Sequence, residues 1–151
     1  MTSPRLALLF FVVGVVAVGL LIGLGFPPGD WYAGLAKPSF NPPDWLFGPV
    51  WTLLYVLIGV AGWRVWFRAD RAGLKGLWIA QMVLNFAWSP AFFGARSPAL
   101  GLLVILPLLA VILLFIWRSR RHDATAALLF LPYAAWVGFA SALNAAILAL
   151  N

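Results

Sequence analysis

The chain has 151 residues, 64% of them hydrophobic and only 9% charged, where a soluble domain averages about 25% charged. Four acidic residues, all Asp, stand against ten Lys and Arg, for a net charge of +6. At a mean hydropathy of +1.00, this basic excess reads as loop arginines that orient a membrane protein, not as a nucleic-acid surface. The absence of cysteine excludes disulfides, thiolate chemistry and Cys-ligated metal, and one histidine, His122, is too few to build a His-ligated metal or haem site.

About 20 apolar helical residues cross a hydrocarbon core of about 30 Å, and the chain contains five such runs. Residues 6–26 are all apolar or Gly and follow Arg5. This run is longer than the apolar stretch of a signal peptide, and no Ala-x-Ala pattern follows it, so a retained helix is expected. The second span is 47–67. The third, 74–93, is softened by Lys75, Gln81, Asn85 and Ser89. The fourth is 99–117, and the fifth, 124–150, is long enough to tilt or project. Pro27-Pro28-Gly29, Arg96-Ser97-Pro98 and the stretch from Arg118 to Asp123 punctuate the ends. The expected fold is one all-α membrane domain over 1–151, a five-transmembrane-helix bundle with a structured first loop at 27–46. Five spans do not divide into two inverted repeats.

Orientation follows from the basic residues. Arg5, Arg64, Arg68, Arg71, Lys75, Arg118, Arg120 and Arg121 fall on the side of the N-terminus, against Lys37 and Arg96 on the other. Eight against two predicts a cytoplasmic N-terminus, an external C-terminus and an external first loop. The same arginines also serve as headgroup anchors. The asymmetry favours a bacterial inner membrane, with the lipid bilayer as the principal partner.

The first loop carries Pro28, Pro38, Pro42 and Pro43, which restrict φ and remove amide donors, so it is expected to be stiff. Trp31, Tyr32 and Trp45 lie at its ends. They read first as an interfacial aromatic belt; the alternative is a lid over a cavity between helices.

The run Trp31-x6-Pro38-x-Phe40-x-Pro42-Pro43-x-Trp45-x-Phe47-x3-Trp51-Thr52-x2-Tyr55 resembles the signature of the TspO/MBR family. These are the tryptophan-rich sensory proteins of bacteria and the mitochondrial translocator, or peripheral benzodiazepine receptor. The blocks Gln81-x2-Leu84-Asn85-x2-Trp88-Ser89-Pro90-x-Phe92-Phe93-Gly94 and Pro132-Tyr133-x2-Trp136-x2-Phe139-Ala140-x2-Leu143-Asn144 resemble the third and fifth helices of the same family. Three ordered blocks cover essentially the whole chain.

The resemblance implies a five-helix bundle that binds porphyrins or other haem-pathway tetrapyrroles, sterols or benzodiazepine-type ligands beneath the first loop, with no cofactor required. It places Tyr32, Pro42, Phe47, Trp51 and Tyr55 on the loop and second helix as ligand-binding residues. Asn85 and Trp88 join them from the third helix, and Trp136, Ala140 and Leu143 from the fifth. The residues themselves are compatible with this. Trp51 and Tyr55, Asn85 and Trp88, and Trp136 and Ala140 are three or four apart, so each pair shares a helix face. Flat apolar ligands are held by aromatic faces, with a few polar groups that orient them, and Gly138 and Ala140 would leave room for a ring. Plain packing remains open for each Trp, and an interhelical strut for Asn85. Asn144 and Gln81 read as structural.

Small-residue stripes at Ala87-x3-Ala91-x3-Ala95, Gly19-x3-Gly23 and Ala134-x3-Gly138-x3-Ala142 permit close helix approach, within the chain or between chains. The resemblance implies a homodimer, with Ala87 and Ala91 as interface candidates. Two departures stand out. Tyr133 is followed by no basic residue, so the mammalian cholesterol-recognition pattern is missing, and Phe40 replaces the Trp found in many relatives.

Three functions compete: a tetrapyrrole-binding sensor or receptor, a light-dependent porphyrin-degrading enzyme, and a carrier of lipophilic ligands. The span interiors carry no Asp, Glu, Lys, Arg or His for acid–base work; the catalysis that the resemblance implies is photo-oxidative, with Trp51 and Trp136 at the matching positions as its redox-active side chains. Intramembrane charges that would mark an ion path are missing as well.

Overall fold

The computed structural model describes residues 3–68 and 73–151. Arg71, counted above for orientation, and Asp70 lie outside the described residues. The helices are α1 (Pro4–Gly25), α2 (Gly29–Ala33), α3 (Asp44–Phe67), α4 (Leu74–Ser89), α5 (Pro98–Ser119) and α6 (Ala124–Leu150). A π-helical turn, Pro90–Gly94, continues directly from α4. The described residues contain no strand, and the protein is an all-α membrane protein.

Local chemistry sets the boundaries. The Ser3 hydroxyl accepts from the Leu6 amide and Pro4 opens α1; the Ser97 hydroxyl accepts from the Leu100 amide and Pro98 opens α5. Proline suits these first positions because the missing amide has no helical partner there. Asp123 caps α6 by accepting from the Ala126 amide. The expected second span begins at residue 47, but α3 starts earlier, at Asp44, because Pro43 is extended and the acidic Asp44 suits a first turn.

Four helices, α1, α3, α5 and α6, are long and apolar enough to cross a membrane. The expected third span, 74–93, divides into the 16 residues of α4 and the 5 of the π turn. Pro90 is the physical cause: proline has no amide to donate and its ring crowds the carbonyl four residues back. The ladder widens, so the Ala95 amide reaches the Pro90 carbonyl at 2.8 Å and the Ser97 amide reaches that of Phe92 at 3.0 Å.

α1 packs on α3, α3 on α6, α6 on α5 and α5 on α4, and α4 closes the ring against α1 and α3. The lipid-side surface is apolar, with Phe10 65%, Leu21 67% and Leu103 70% exposed. Inside, Phe115 stacks on Phe130 with ring centroids 4.1 Å apart, and both are fully buried. α1 and α3 touch backbone to backbone at Gly59, where a Cβ would lie 2.8 Å from the Val12 Cα. The Gly19/Gly23 stripe works differently. Gly19 receives the edge of the Tyr55 ring, and a Cβ at Gly23 would meet nothing within 4 Å.

Charges separate by end. Arg64 Nε and Nη2 grip the Asp123 carboxylate at 2.9–3.1 Å, which ties the C-terminus of α3 to the turn before α6. Arg68, Lys75, Arg118, Arg120 and Arg121 cluster at that end by chain position, with Arg5 at the start of the antiparallel α1. Arg68, Lys75 and Arg120 also lie over the rings of Trp63, Trp66 and Trp117. Lys37 and Arg96 sit at the opposite end with the first loop.

Candidate functional site

The first loop is folded onto the bundle. Tyr32, buried on α2, meets Phe93 edge-on at 5.5 Å between centroids, and Trp31 meets Phe92 at 5.7 Å. Lys37 Nζ donates to the Tyr32, Leu35 and Ala33 carbonyls at 2.8, 3.3 and 3.5 Å, satisfying the end of α2, and lies 4.5 Å from the Tyr32 ring centre. At the far side the Asn151 amide accepts from the Ala36 N–H at 3.0 Å and donates to the Ala36 and Ile147 carbonyls at 2.9 and 2.8 Å. Trp45, by contrast, is 71% exposed, as a belt residue would be.

Beneath this loop lies a cavity of about 450 Å³, within the usual range for sites that bury a drug-sized ligand. Helical periodicity builds its walls. From α3 come Asp44, Phe47, Gly48, Trp51 and Tyr55; from α6, Trp136, Ala140, Leu143, Asn144 and Ile147. Asn85, Trp88 and Ser89 of α4 continue into Phe92 and Phe93 of the π turn, and Gly19, Gly23 and Phe26 face it from α1 and its end. The π turn lets the adjacent Phe92 and Phe93 both contribute.

The structure thus gathers Tyr32, Phe47, Trp51, Tyr55, Asn85, Trp88, Trp136, Ala140 and Leu143 around one space. Pro42 is not among them. It lies before the first turn of α3 and borders a separate apolar groove of about 480 Å³ on the outer side, with Leu46, Val50, Leu53, Pro132, Ala135 and Phe139. Trp136 lines both spaces. Gly138, expected to make room for a ring, does not line the cavity. Ala87 and Ala91 are half-buried and lie outside its wall.

A buried hydrogen-bond chain supports the cavity floor. The Tyr55 hydroxyl donates to Asn85 Oδ1 at 3.0 Å, and Asn85 Nδ2 donates to the Tyr133 hydroxyl at 2.7 Å. Tyr133 donates to Gln81 Oε1 at 2.9 Å, and Gln81 Nε2 to the Trp78 carbonyl at 2.9 Å. Asn85 is therefore both an interhelical strut and a wall residue, while Gln81, fully buried, is structural. Asn144, expected to be structural, has two roles. It accepts from Trp88 Nε1 at 3.1 Å, donates to the Pro98 carbonyl at 2.8 Å, and lines the cavity.

Trp51 lies 5.5 Å from Tyr55 and 6.4 Å from Tyr133 between centroids, and Trp136 meets Phe47 edge-on at 5.7 Å. The Trp136 indole N–H is buried and has no hydrogen-bond partner among the described residues. The Tyr32 phenol is pushed above its ordinary value, first by burial and then by the negative charge of Asp44. Among the described residues, no group of three or more His, Cys, Asp or Glu is placed to hold a metal ion.

Sequence reasoning missed Asp44, Gly48, Ser89, Phe92 and Ile147, although each continues a three-to-four spacing from a residue already chosen. Ile105 and Leu108 carried no comparable signal, because α5 is apolar on every side, and Gly19 and Gly23 signalled only close helix packing.

Comparison with known proteins agrees with the fold. A family model described as TspO/MBR family matches residues 6–150. The "Tryptophan-rich protein TspO" of Archaeoglobus fulgidus is 48% identical over 124 residues, 80% of each chain. "Protein CrtK" of Rhodobacter capsulatus is 38% identical over 156 residues, covering 97% of this chain and 95% of its own. The human "Translocator protein" is 37% identical over 136 residues, 85% of this chain and 80% of its own. With the Trp- and Pro-rich loop docked over a helical cavity, and with relatives matched along nearly the full length, this chain belongs to the TspO/MBR family.

Proposed function

We propose that the protein is a membrane receptor or sensor that binds tetrapyrroles, porphyrins foremost, in the cavity beneath the first loop. The supporting observation is the cavity wall, where the rings of Trp51, Trp88, Trp136, Tyr32, Tyr55 and Phe47 surround one space of about 450 Å³. Aromatic faces suit a flat conjugated ring. The positive-inside asymmetry supports a cytoplasmic N-terminus, an external loop and residence in the inner membrane. A homodimer through the half-buried Ala87 and Ala91 is part of this reading, and disulfide cross-linking of an Ala91→Cys variant in membranes tests it. The central experiment is a porphyrin titration of the purified chain, followed by tryptophan quenching and porphyrin absorbance. Saturable binding that weakens in the Trp51→Phe, Trp136→Phe double variant is expected, and no saturable binding refutes the proposal.

A second reading, light-dependent breakdown of the bound porphyrin, draws on the oxidisable rings of Trp51, Tyr55 and Trp136 in the same wall. Illumination of the porphyrin-loaded protein in air would yield a new absorbing product, and its absence counts against this activity.

A further inference from the structure

Charge is unevenly placed around the cavity. Among its described lining residues Asp44 alone carries a formal charge, and no Lys, Arg or His joins it. Asp44 is the first residue of α3 and is exposed at the mouth. Burial, and after it the Asp44 charge, raise the phenol of Tyr32, the wall residue that the lid contributes. Lys37, the cation of the lid, keeps its charge but does not line the cavity; its ammonium donates to the carbonyls of Tyr32, Ala33 and Leu35. The N-terminal dipole of α3 supplies about half a positive charge near Asp44, so the carboxylate outweighs the helix terminus on which it stands.

We propose that the cavity selects among flat lipophilic ligands by charge at its mouth, with Asp44 as the determinant. It takes tetrapyrroles or other planar amphiphiles whose outermost group is neutral or cationic, and disfavours a carboxylate placed beside Asp44. This selectivity rests on the tetrapyrrole reading above. A porphyrin dicarboxylate that brings an acid group to the mouth meets the like charge of Asp44, whereas its dimethyl ester carries no charge there. Two like charges about 4 Å apart in water repel by the equivalent of roughly a fivefold change in affinity, more where the apolar wall displaces solvent. Because the mouth is exposed, salt screens the effect.

The test compares protoporphyrin with its dimethyl ester on the full chain in a nonionic detergent, in the native protein, Asp44→Asn and Asp44→Lys. The readout is the change in the ratio of ester to acid affinity from one chain to another, in which the probes' difference in lipophilicity cancels. That ratio should fall about fivefold in Asp44→Asn and further in Asp44→Lys. In the native protein it should also narrow as salt rises from about 0.02 to 0.5 M, a measurement that needs no substitution. A ratio that is the same in all three chains and at both salt concentrations overturns the charge selection while leaving tetrapyrrole binding intact. Failure of both probes to bind the native chain overturns the tetrapyrrole reading, and the selectivity with it.

Discussion

Replacing Asn85 by Leu tests the polar chain under the cavity. Asn85 is 6% exposed and serves two partners, accepting from the Tyr55 hydroxyl at 3.0 Å and donating to the Tyr133 hydroxyl at 2.7 Å. Leucine fills similar volume and removes both bonds. Tyr133 keeps its own acceptor, Gln81 Oε1, at 2.9 Å. Tyr55 is left with a buried donor and no acceptor, which costs about 1–3 kcal/mol. Interhelical hydrogen bonds in membranes average about 0.6 kcal/mol each, so a total near 2 kcal/mol is expected. For a chain of this length that lowers the unfolding midpoint by about 4–8 °C, measurable by tryptophan fluorescence in detergent. Adding Tyr55→Phe removes the stranded hydroxyl, so the double variant should be no less stable than Asn85→Leu alone. Two outcomes would refute the reasoning: an unchanged midpoint in Asn85→Leu, or costs that add to within about 0.3–0.5 kcal/mol in the double variant.

Asp123 should behave as both cap and ion-pair partner. Burial alone would raise its carboxyl, but the hydrogen bond and charge of Arg64 and the amides of Ala126 and Thr125 outweigh it and hold the group below the ordinary carboxylate range. Its contribution is therefore complete above the unfolded value near pH 4 and is lost as pH falls through the lower folded value. Midpoints measured from neutral pH down to about pH 3 should show this acid slope, and Asp123→Asn should flatten it; Asp123→Ala should cost about 1–2 kcal/mol at neutral pH. Gly59→Ala forces a methyl against the Val12 backbone at 2.8 Å and should cost about 1–3 kcal/mol. Gly14→Ala, with nothing within 4 Å of the new Cβ, should be neutral or slightly stabilising; equal midpoints for the two would contradict the close approach of α1 and α3. Asn151→Ala should release the loop backbone at Ala36, seen as about tenfold faster amide exchange in that segment; unchanged exchange would show that the clamp does not hold the loop.

Much of this protein is legible in one dimension because the bilayer imposes a one-dimensional rule. A segment of about 20 apolar residues must close its own backbone hydrogen bonds, so it is helical whatever its neighbours are. Apolar runs and basic loops therefore marked the helices and separated the two ends without knowledge of their packing. The order of Trp, Pro and Asn in three blocks likewise identified the family, and the spacings of Trp51 with Tyr55 and of Trp136 with Ala140 showed which residues share a face.

Which face turns inward is a different matter, because lipid and protein interior are equally apolar and hydrophobicity no longer distinguishes them. Gly19, Gly23, Ile105 and Leu108 became wall residues only once α1 and α5 took their places around the ring. Pro42 falls on the outer groove because the chain enters α3 just after it. The π turn at Pro90 and the docking of Trp31 and Tyr32 on Phe92 and Phe93 likewise depend on neighbours distant in sequence. Asp44 is the sharpest case. In the sequence it is one of four acids, and tertiary structure makes it the one formal charge among the described residues at the mouth of an apolar cavity. Composition determined the helices and their ends, and packing decided which side chains share a space, because only packing brings together residues that no local rule relates.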